Sequence, residues 1–276
     1  CAQDFTLQIT YLKKYFNIIS LDKAVELQKQ KALPPKSLVI TFDDGYLDNY
    51  TVARPILEKL NCSASFFIAS EGVEKGYLWN DVIEQSIKRT SNKAISANII
   101  GITLEIATEQ QKQQAFHQLI NHLKFLNNEQ RQQKLVLLTD ELNICTFSQT
   151  MMNKEHIFNL HQSGFTIGAH THSHTILSTE QDNISNNELV TNKHYLEKTI
   201  NHPIKFLAYP NGLYGRDFTN EHCQMVKSLN FEAAFSTNDG GSISTSNIFK
   251  IPRFMPYRKK LPLFALSIAK IAGEHV

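Results

Sequence analysis

Ser37-Leu38-Val39-Ile40-Thr41-Phe42-Asp43-Asp44-Gly45 is the stretch from which the fold can be read. The run of apolar and β-branched residues over 37–42 predicts a buried strand that delivers two adjacent carboxylates to its rim. Gly45 then allows the backbone to turn sharply at little steric cost. Adjacent carboxylates repel, so each favours solvent or a cation. The same three residues also read as a simple solvated Asp-Asp-Gly turn. The rest of the chain decides between these readings.

Further along, Gly164–Ala169 reads as a short strand, and His170-Thr171-His172-Ser173-His174 follows it. His170 and His174 are four apart, so on a helical turn both rings face one way, with Cβ atoms about 5–6 Å apart. His172 would point elsewhere. That spacing suits two imidazoles sharing one small cation. A polar loop that happens to be rich in His is the alternative, and three His directly after a strand weigh against it. One carboxylate with two His leaves coordination positions open for water and substrate, as in catalytic zinc or iron sites. The second carboxylate is then free to take a proton from water that a metal has acidified. The Asp pair thus divides into one ligand and one base.

Thr41-Phe42-Asp43-Asp44-Gly45 and His170-Thr171-His172-Ser173-His174 resemble the first two motifs of the polysaccharide deacetylases, the NodB-type carbohydrate esterases. Phe206-Leu207-Ala208-Tyr209-Pro210-Asn211-Gly212 is similar to the third motif. Ile251-Pro252-Arg253 resembles a late signature of the lipopolysaccharide- and exopolysaccharide-associated branch. The resemblance implies an α/β fold, an irregular (β/α) barrel with fewer than eight regular strands. It implies Asp43 as general base, and Asp44, His170 and His174 as ligands of a divalent metal, usually zinc in the family. The implied reaction removes an N-acetyl group from an amino sugar of a bacterial surface polysaccharide or its precursor. A backbone N–H near the third motif, by position that of Asn211, would stabilise the oxyanion.

Two departures stand out. The third-motif slot that in many relatives holds an Arg orienting the base is Ala208 here, and Arg253 is the candidate substitute. A guanidinium beside Asp43 would lower its pKa and hold it ionised. The late Leu-x-His motif that supplies a general acid in many relatives is not matched, since the only His after Arg253 is His275, in a terminus expected to fray. Other relatives take the acid from an early Tyr-His strand. This sequence opens at Cys1 on a helix expected from near Asp4, so that strand is expected to be missing from the present stretch.

The chain has 276 residues, 42% hydrophobic, with a net charge of +2. It is read as a single domain over 1–276. The charge balance, with no dense Lys/Arg run, argues against nucleic acid as a partner, and the resemblance implies a glycan or amino sugar as the substrate. No stretch reaches the roughly 18 apolar residues of an integral membrane span. Cys1, Cys62, Cys145 and Cys223 form no C-x-x-C pair and read as reduced thiols, which favours a cytoplasmic setting slightly over a periplasmic or secreted one. A lipid-bearing Cys1 is disfavoured by the helical stripe Phe5, Ile9, Leu12, Phe16 and Ile19.

Strands and helices alternate in a βαβ rhythm that suggests a parallel sheet. Helices are expected at 4–17, 21–30, 48–60 (interrupted by Pro55), 186–200 and 217–229, and strands at 18–19, 37–42, 64–69, 164–169, 204–208 and 233–236. Residues 79–160 break the rhythm with helices at 79–87, 109–126, 129–138 and 154–163 and a hairpin at 93–106. They read as a helical insertion beside the barrel. Trp79, and Tyr209 and Tyr214 flanking the third motif, are candidates to stack on or line a sugar groove, although a lone Trp is more often core. No Gly-x-Ser-x-Gly elbow is present, which disfavours a serine esterase. The rival readings are an O-acetyl esterase or non-sugar amidase on the same fold, and a catalytically silent glycan-binding module.

Overall fold

A computed structural model describes residues 1–240 and 247–273. Five parallel strands make a curled half-barrel sheet, in the spatial order Thr41–Phe42, Ser65–Ile68, Thr166–Ala169, Phe206–Ala208 and Ala233–Phe235. The chain enters through α1 (Ala2–Tyr15), β1 (Asn17–Ile18) and α2 (Leu21–Lys29), whose N-cap Ser20 accepts a hydrogen bond from the Lys23 amide. The stretch expected as one strand over 37–42 is two. Ser37–Leu38 (β2) pairs with β1, whereas Thr41–Phe42 (β3) pairs with Ser65 and Phe66 of β4 (Ser65–Ile68). Val39 and Ile40 are the hinge by which one segment serves both pairings.

Pro55 does not break the helix expected at 48–60. Asn49–Ala53 forms a wide turn in which the Arg54 amide reaches back to the Asn49 carbonyl, and α3 (Arg54–Lys59) starts afresh with Pro55 in its first turn, where no N–H is missed. After β4 and the short α4 (Ser70–Lys75), which the sequence reading did not anticipate, come α5 (Trp79–Arg89), the antiparallel pair β5 (Ala94–Ile95) and β6 (Leu104–Glu105), α6 (Glu109–Leu123) and α7 (Asn128–Leu142). These elements surround a hydrophobic cluster of their own, with Trp79, Ile83, Leu119 and Leu138 at its centre.

The parallel order resumes with α8 (Lys154–Gln162), β7 (Thr166–Ala169), α9 (Asp182–Ile200), β8 (Phe206–Ala208), α10 (Asn220–Ser228) and β9 (Ala233–Phe235). β4 and β7 pack without a gap because Gly168 carries no side chain: a Cβ there would sit 2.4 Å from the Phe67 ring. Beneath the sheet, Phe42 stacks on Phe66 at 4.9 Å, and Phe165 meets Phe66 edge-on at 5.5 Å. Ile251 bridges to Phe235 in parallel, which carries the sheet one step beyond β9. The seam is covered by α11 (Leu261–Gly273), a second unanticipated helix, whose Phe264 meets Tyr11 of α1 edge-on at 6.4 Å. Gln8 of α1 donates to the carbonyls of Arg258 and Lys259.

Candidate active site

Asp43 and Asp44 leave the C-terminal end of β3, where substrates meet catalytic groups in parallel barrels. Asp44 takes a left-handed backbone (φ 73°), as does Gly45 (φ 96°), and a Cβ at Gly45 would lie only 3.0 Å from Ile68. The tight turn aims the two carboxylates apart. An Asp44 Oδ1 atom lies 3.2 Å from His170 Nε2 and 3.1 Å from His174 Nε2.

The histidine segment is not the helical turn expected from its spacing. Thr171 (φ 58°) and His174 (φ 53°) are left-handed, and the loop itself folds the two rings to within 5.0 Å of each other. Side chains from α9 hold it. Buried Asn192 accepts the His170 amide at 2.9 Å and donates to the Ile68 carbonyl and to Ser70 Oγ. Glu188, one turn earlier, accepts both the amide and the hydroxyl of Ser173 at 2.8 Å. Ser70 Oγ in turn lies 2.9 Å from His172 Nδ1. Sequence reasoning missed Asn192 and Glu188. Their signal was polar residues at helical spacing with Ser185, interleaved with the apolar stripe Leu189, Leu196 and Ile200.

The donor set fits a divalent cation. His170 Nδ1 is 2.7 Å from the Ala208 carbonyl, which can only accept, so that nitrogen carries the proton. In the neutral ring Nε2 is then a bare lone pair facing a carboxylate oxygen, an arrangement that requires a cation between or a second proton. Asp44, His170 and His174 present donor atoms all within 4.8 Å of one another. Separations near 3 Å are what metal–ligand bonds of about 2.0–2.2 Å produce. Burial opposes ionisation of Asp44, but the His174 charge and the His170 and His174 hydrogen bonds overcome it and hold its carboxyl well below the ordinary range. Burial likewise opposes protonation of His170, and the Asp44 hydrogen bond and both Asp charges outweigh it.

Asp43 stands outside this triad. Arg253 grips it bidentately, with Nη1 donating at 2.8 Å and Nη2 at 2.7 Å. The guanidinium also donates to the Ser236 carbonyl and Thr41 hydroxyl, and its carbon lies 5.5 Å from the Phe67 ring centroid. Burial works against an ionised Asp43, yet the Arg253 charge, the His170 charge and the Arg253 hydrogen bonds leave its pKa lowered. The Ala208 methyl offers Asp43 no hydrogen bond, but the Ala208 carbonyl serves His170.

In the third motif, Asn211 (φ 57°) and Gly212 (φ 71°) turn the chain away from β8, and a Cβ at Gly212 would strike the Tyr209 carbonyl at 2.8 Å. The Asn211 amide has no hydrogen-bond partner among the described residues. The expectation that Tyr209 and Trp79 meet a sugar needs correcting. Tyr209 is 1% exposed, stacks on Phe218 at 3.7 Å and donates its hydroxyl to the Phe249 carbonyl. Trp79, 8% exposed, lies in the core of the helical segment with the Arg131 guanidinium 5.0 Å from its ring centroid. Tyr214 donates to Asn220 and is covered by Lys250. Each aromatic is used for packing. His275 lies outside the described residues.

A cleft of about 640 Å³ opens over the acids, lined by Asp43, Asp44, Tyr46, Thr237, Arg253 and Met255 among others. Tyr46 ties it to the helical segment. Its hydroxyl accepts from Asn80 and donates to Asp81, and Asp81 also accepts from Thr150. Backbone bonds from Leu47 to Thr150 and from Met152 to Gly45 reinforce the join.

The family model described as polysaccharide deacetylase matches residues 30–234 of this sequence, from the end of α2 into the last strand of the sheet. The chain belongs to the polysaccharide deacetylase family. Among curated relatives, YxkH of Bacillus subtilis (strain 168) is 24% identical over 160 residues, covering 57% of this chain and 52% of YxkH, so the match spans about half of that relative. Among solved structures, the Streptococcus pyogenes deacetylase PplD in complex with acetate superposes with a TM-score of 0.61 at 18% identity, covering 92% of this chain and 80% of PplD. IcaB from Ammonifex degensii gives 0.62 at 16% identity, covering 98% and 88%. At such identities the two neighbours speak for the polysaccharide deacetylase fold, the irregular (β/α) barrel expected above.

Proposed function

We propose that this polysaccharide deacetylase is a metal-dependent hydrolase that removes N-acetyl groups from amino sugars of a bacterial surface polysaccharide or its precursor. The observation that carries this reading is the division of labour in the acid pair: Asp44 faces two imidazoles, while Asp43 is held ionised by Arg253 outside that triad. Asp44, His170 and His174 would hold the ion, zinc being the usual choice in the family, which supplies Lewis acidity towards the acyl carbonyl and acidifies water. Asp43 takes the proton of the attacking water, and Arg253 keeps it ionised and fixed for that step. The unpartnered Asn211 amide is the group available to donate to the developing oxyanion. That PplD is described as a deacetylase, in complex with acetate, supports an acetyl group as the one removed. The same reading treats residues 1–276 as one domain whose helical insertion, about 79–160, flanks the cleft through the Tyr46 join.

The test is acetate release from N-acetylglucosamine oligomers by purified protein, before and after chelation and after zinc is restored. Release that chelation abolishes and zinc restores is expected. Release from O-acetylated sugars alone would replace the amide reading with an ester one. Stoichiometric metal without turnover on either class would favour a silent glycan-binding module.

A further inference from the structure

The segment that forms one lip of the cleft continues into a surface of unusual make-up. Phe254, Met255 and Pro256 line the cleft, and Tyr257, Arg258, Lys259, Lys260 and α11 follow. Residues 247–273 carry six Lys or Arg and no Asp or Glu, in a chain whose net charge is only +2. Arg258, Lys259 and Lys260 are consecutive and exposed, and none has an ion-pair partner among the described residues. Beside them apolar side chains stand in water: Met255 is 45% exposed, Tyr257 81%, Leu263 50% and Leu266 67%. The opposite side of α11 is accounted for by Phe264, buried against α1, so the outward leucines are a second face and not a poorly packed core. Gln8 clamps the backbone of Arg258 and Lys259 to α1, so the basic run has a fixed position.

We propose that this surface, Tyr257–Lys260 with the outward face of α11, docks on an anionic lipid bilayer and sets the open cleft against material held at the membrane surface. The charge and the apolar groups select this occupant together. Anionic headgroups satisfy the three cations, while the acyl boundary takes up the leucines, and Tyr is at home between the two phases. A soluble polyanion would neutralise the cations and leave Leu263 and Leu266 in water. A second copy joined through a two-fold interface would bring the same uncompensated cations together. Docking here is peripheral, since no helix among the described residues is long and apolar enough to cross a membrane. The proposal concerns where the cleft is held and does not depend on the chemistry performed in it.

The experiment is co-sedimentation of the full chain with vesicles of phosphatidylglycerol mixed with phosphatidylcholine, against pure phosphatidylcholine vesicles and heparin-agarose. Binding to the anionic vesicles is expected, weakening as salt is raised. The triple variant R258E/K259E/K260E should bind roughly a hundredfold more weakly, as loss of three surface cations implies. L263S/L266S should weaken binding at every salt concentration. Both variants should keep the wild-type melting temperature and metal content, because none of these side chains is buried or faces the acid pair. Failure to pellet with anionic vesicles would overturn the proposal, as would equal binding by the charge-reversed variant. Retention on heparin without vesicle binding would assign the surface to a soluble polyanion instead. A dimer that L263S/L266S converts to monomer, with no vesicle binding, would assign it to a second copy.

Discussion

At the residue scale the site rests on two contacts of opposite kind, Asp44 towards nitrogen lone pairs and Asp43 towards a guanidinium. On the proposed roles, replacing Asp43 by Asn removes a proton acceptor and no ligand. The variant should keep its metal, measured by atomic absorption, and lose on the order of 10²- to 10⁴-fold in kcat. His170→Ala should lose metal and activity together. Arg253 is proposed to set the pH range. Burial and the Asp44 charge raise the Asp43 pKa while Arg253 and His170 lower it, and the lowering wins. The acid limb of kcat/KM should therefore lie below the ordinary carboxylate value in the wild type and move to higher pH in Arg253→Ala; an unmoved limb would exclude Asp43 as the titrating base. This pair is legible in sequence only in part. Ile251-Pro252-Arg253 resembles a family signature, but that its guanidinium meets Asp43 depends on a bridge between Phe235 and Ile251 that no local pattern announces.

At the level of single elements, α9 does more than cover the sheet. Asn192→Ala would remove the partner of the His170 amide and a donor to the Ile68 carbonyl, leaving the Ser70 hydroxyl only its His172 contact, at about 1–3 kcal/mol of stability. Loosening the ligand loop should also weaken zinc binding by about 10- to 100-fold, the usual cost of losing an outer-shell partner. Thermal melting and a competitive zinc titration separate the two effects. The loop also shows where sequence reading stops. His170 and His174 were legible as a converging pair, yet the helical turn inferred from their spacing was wrong, because Thr171 and His174 adopt left-handed backbones that such residue types rarely signal. Trp79 and Tyr209 were misassigned for a related reason: an aromatic ring serves a core as well as a sugar, and only burial tells the two apart. Trp79→Ala should accordingly cost about 3–5 kcal/mol of stability. In Trp79→Phe, KM for oligosaccharide should stay unchanged; a raised KM there would restore the stacking role.

For the whole molecule, the alternation of strands and helices was readable because most strands are short apolar runs bounded by polar or glycine-containing turns. What escaped was long-range pairing: β2 and β3 are only two residues apart in sequence but belong to different sheets, and α11 is apolar on its outward face as well as its buried one. The helical segment and the sheet meet at the Tyr46–Asp81–Thr150 join, which has a pH signature. Burial raises the Asp81 pKa, and hydrogen bonds from Leu78, Thr150 and Tyr46 only partly oppose it. A carboxyl raised in the folded state favours folding when protonated. Stability should therefore fall as pH rises from about 4, the unfolded value, through the raised folded one. Asp81→Asn should flatten that part of a melting-temperature profile; an unchanged slope would locate the titration elsewhere. The Arg253–Asp43 clamp, finally, joins positions 210 residues apart. During synthesis the acid emerges from the ribosome long before its cationic partner is translated, so a nascent or prematurely terminated polypeptide would hold Asp43 without the clamp. On the proposed roles, hydrolysis would thereby wait until Arg253 has been translated and folded back onto the acid.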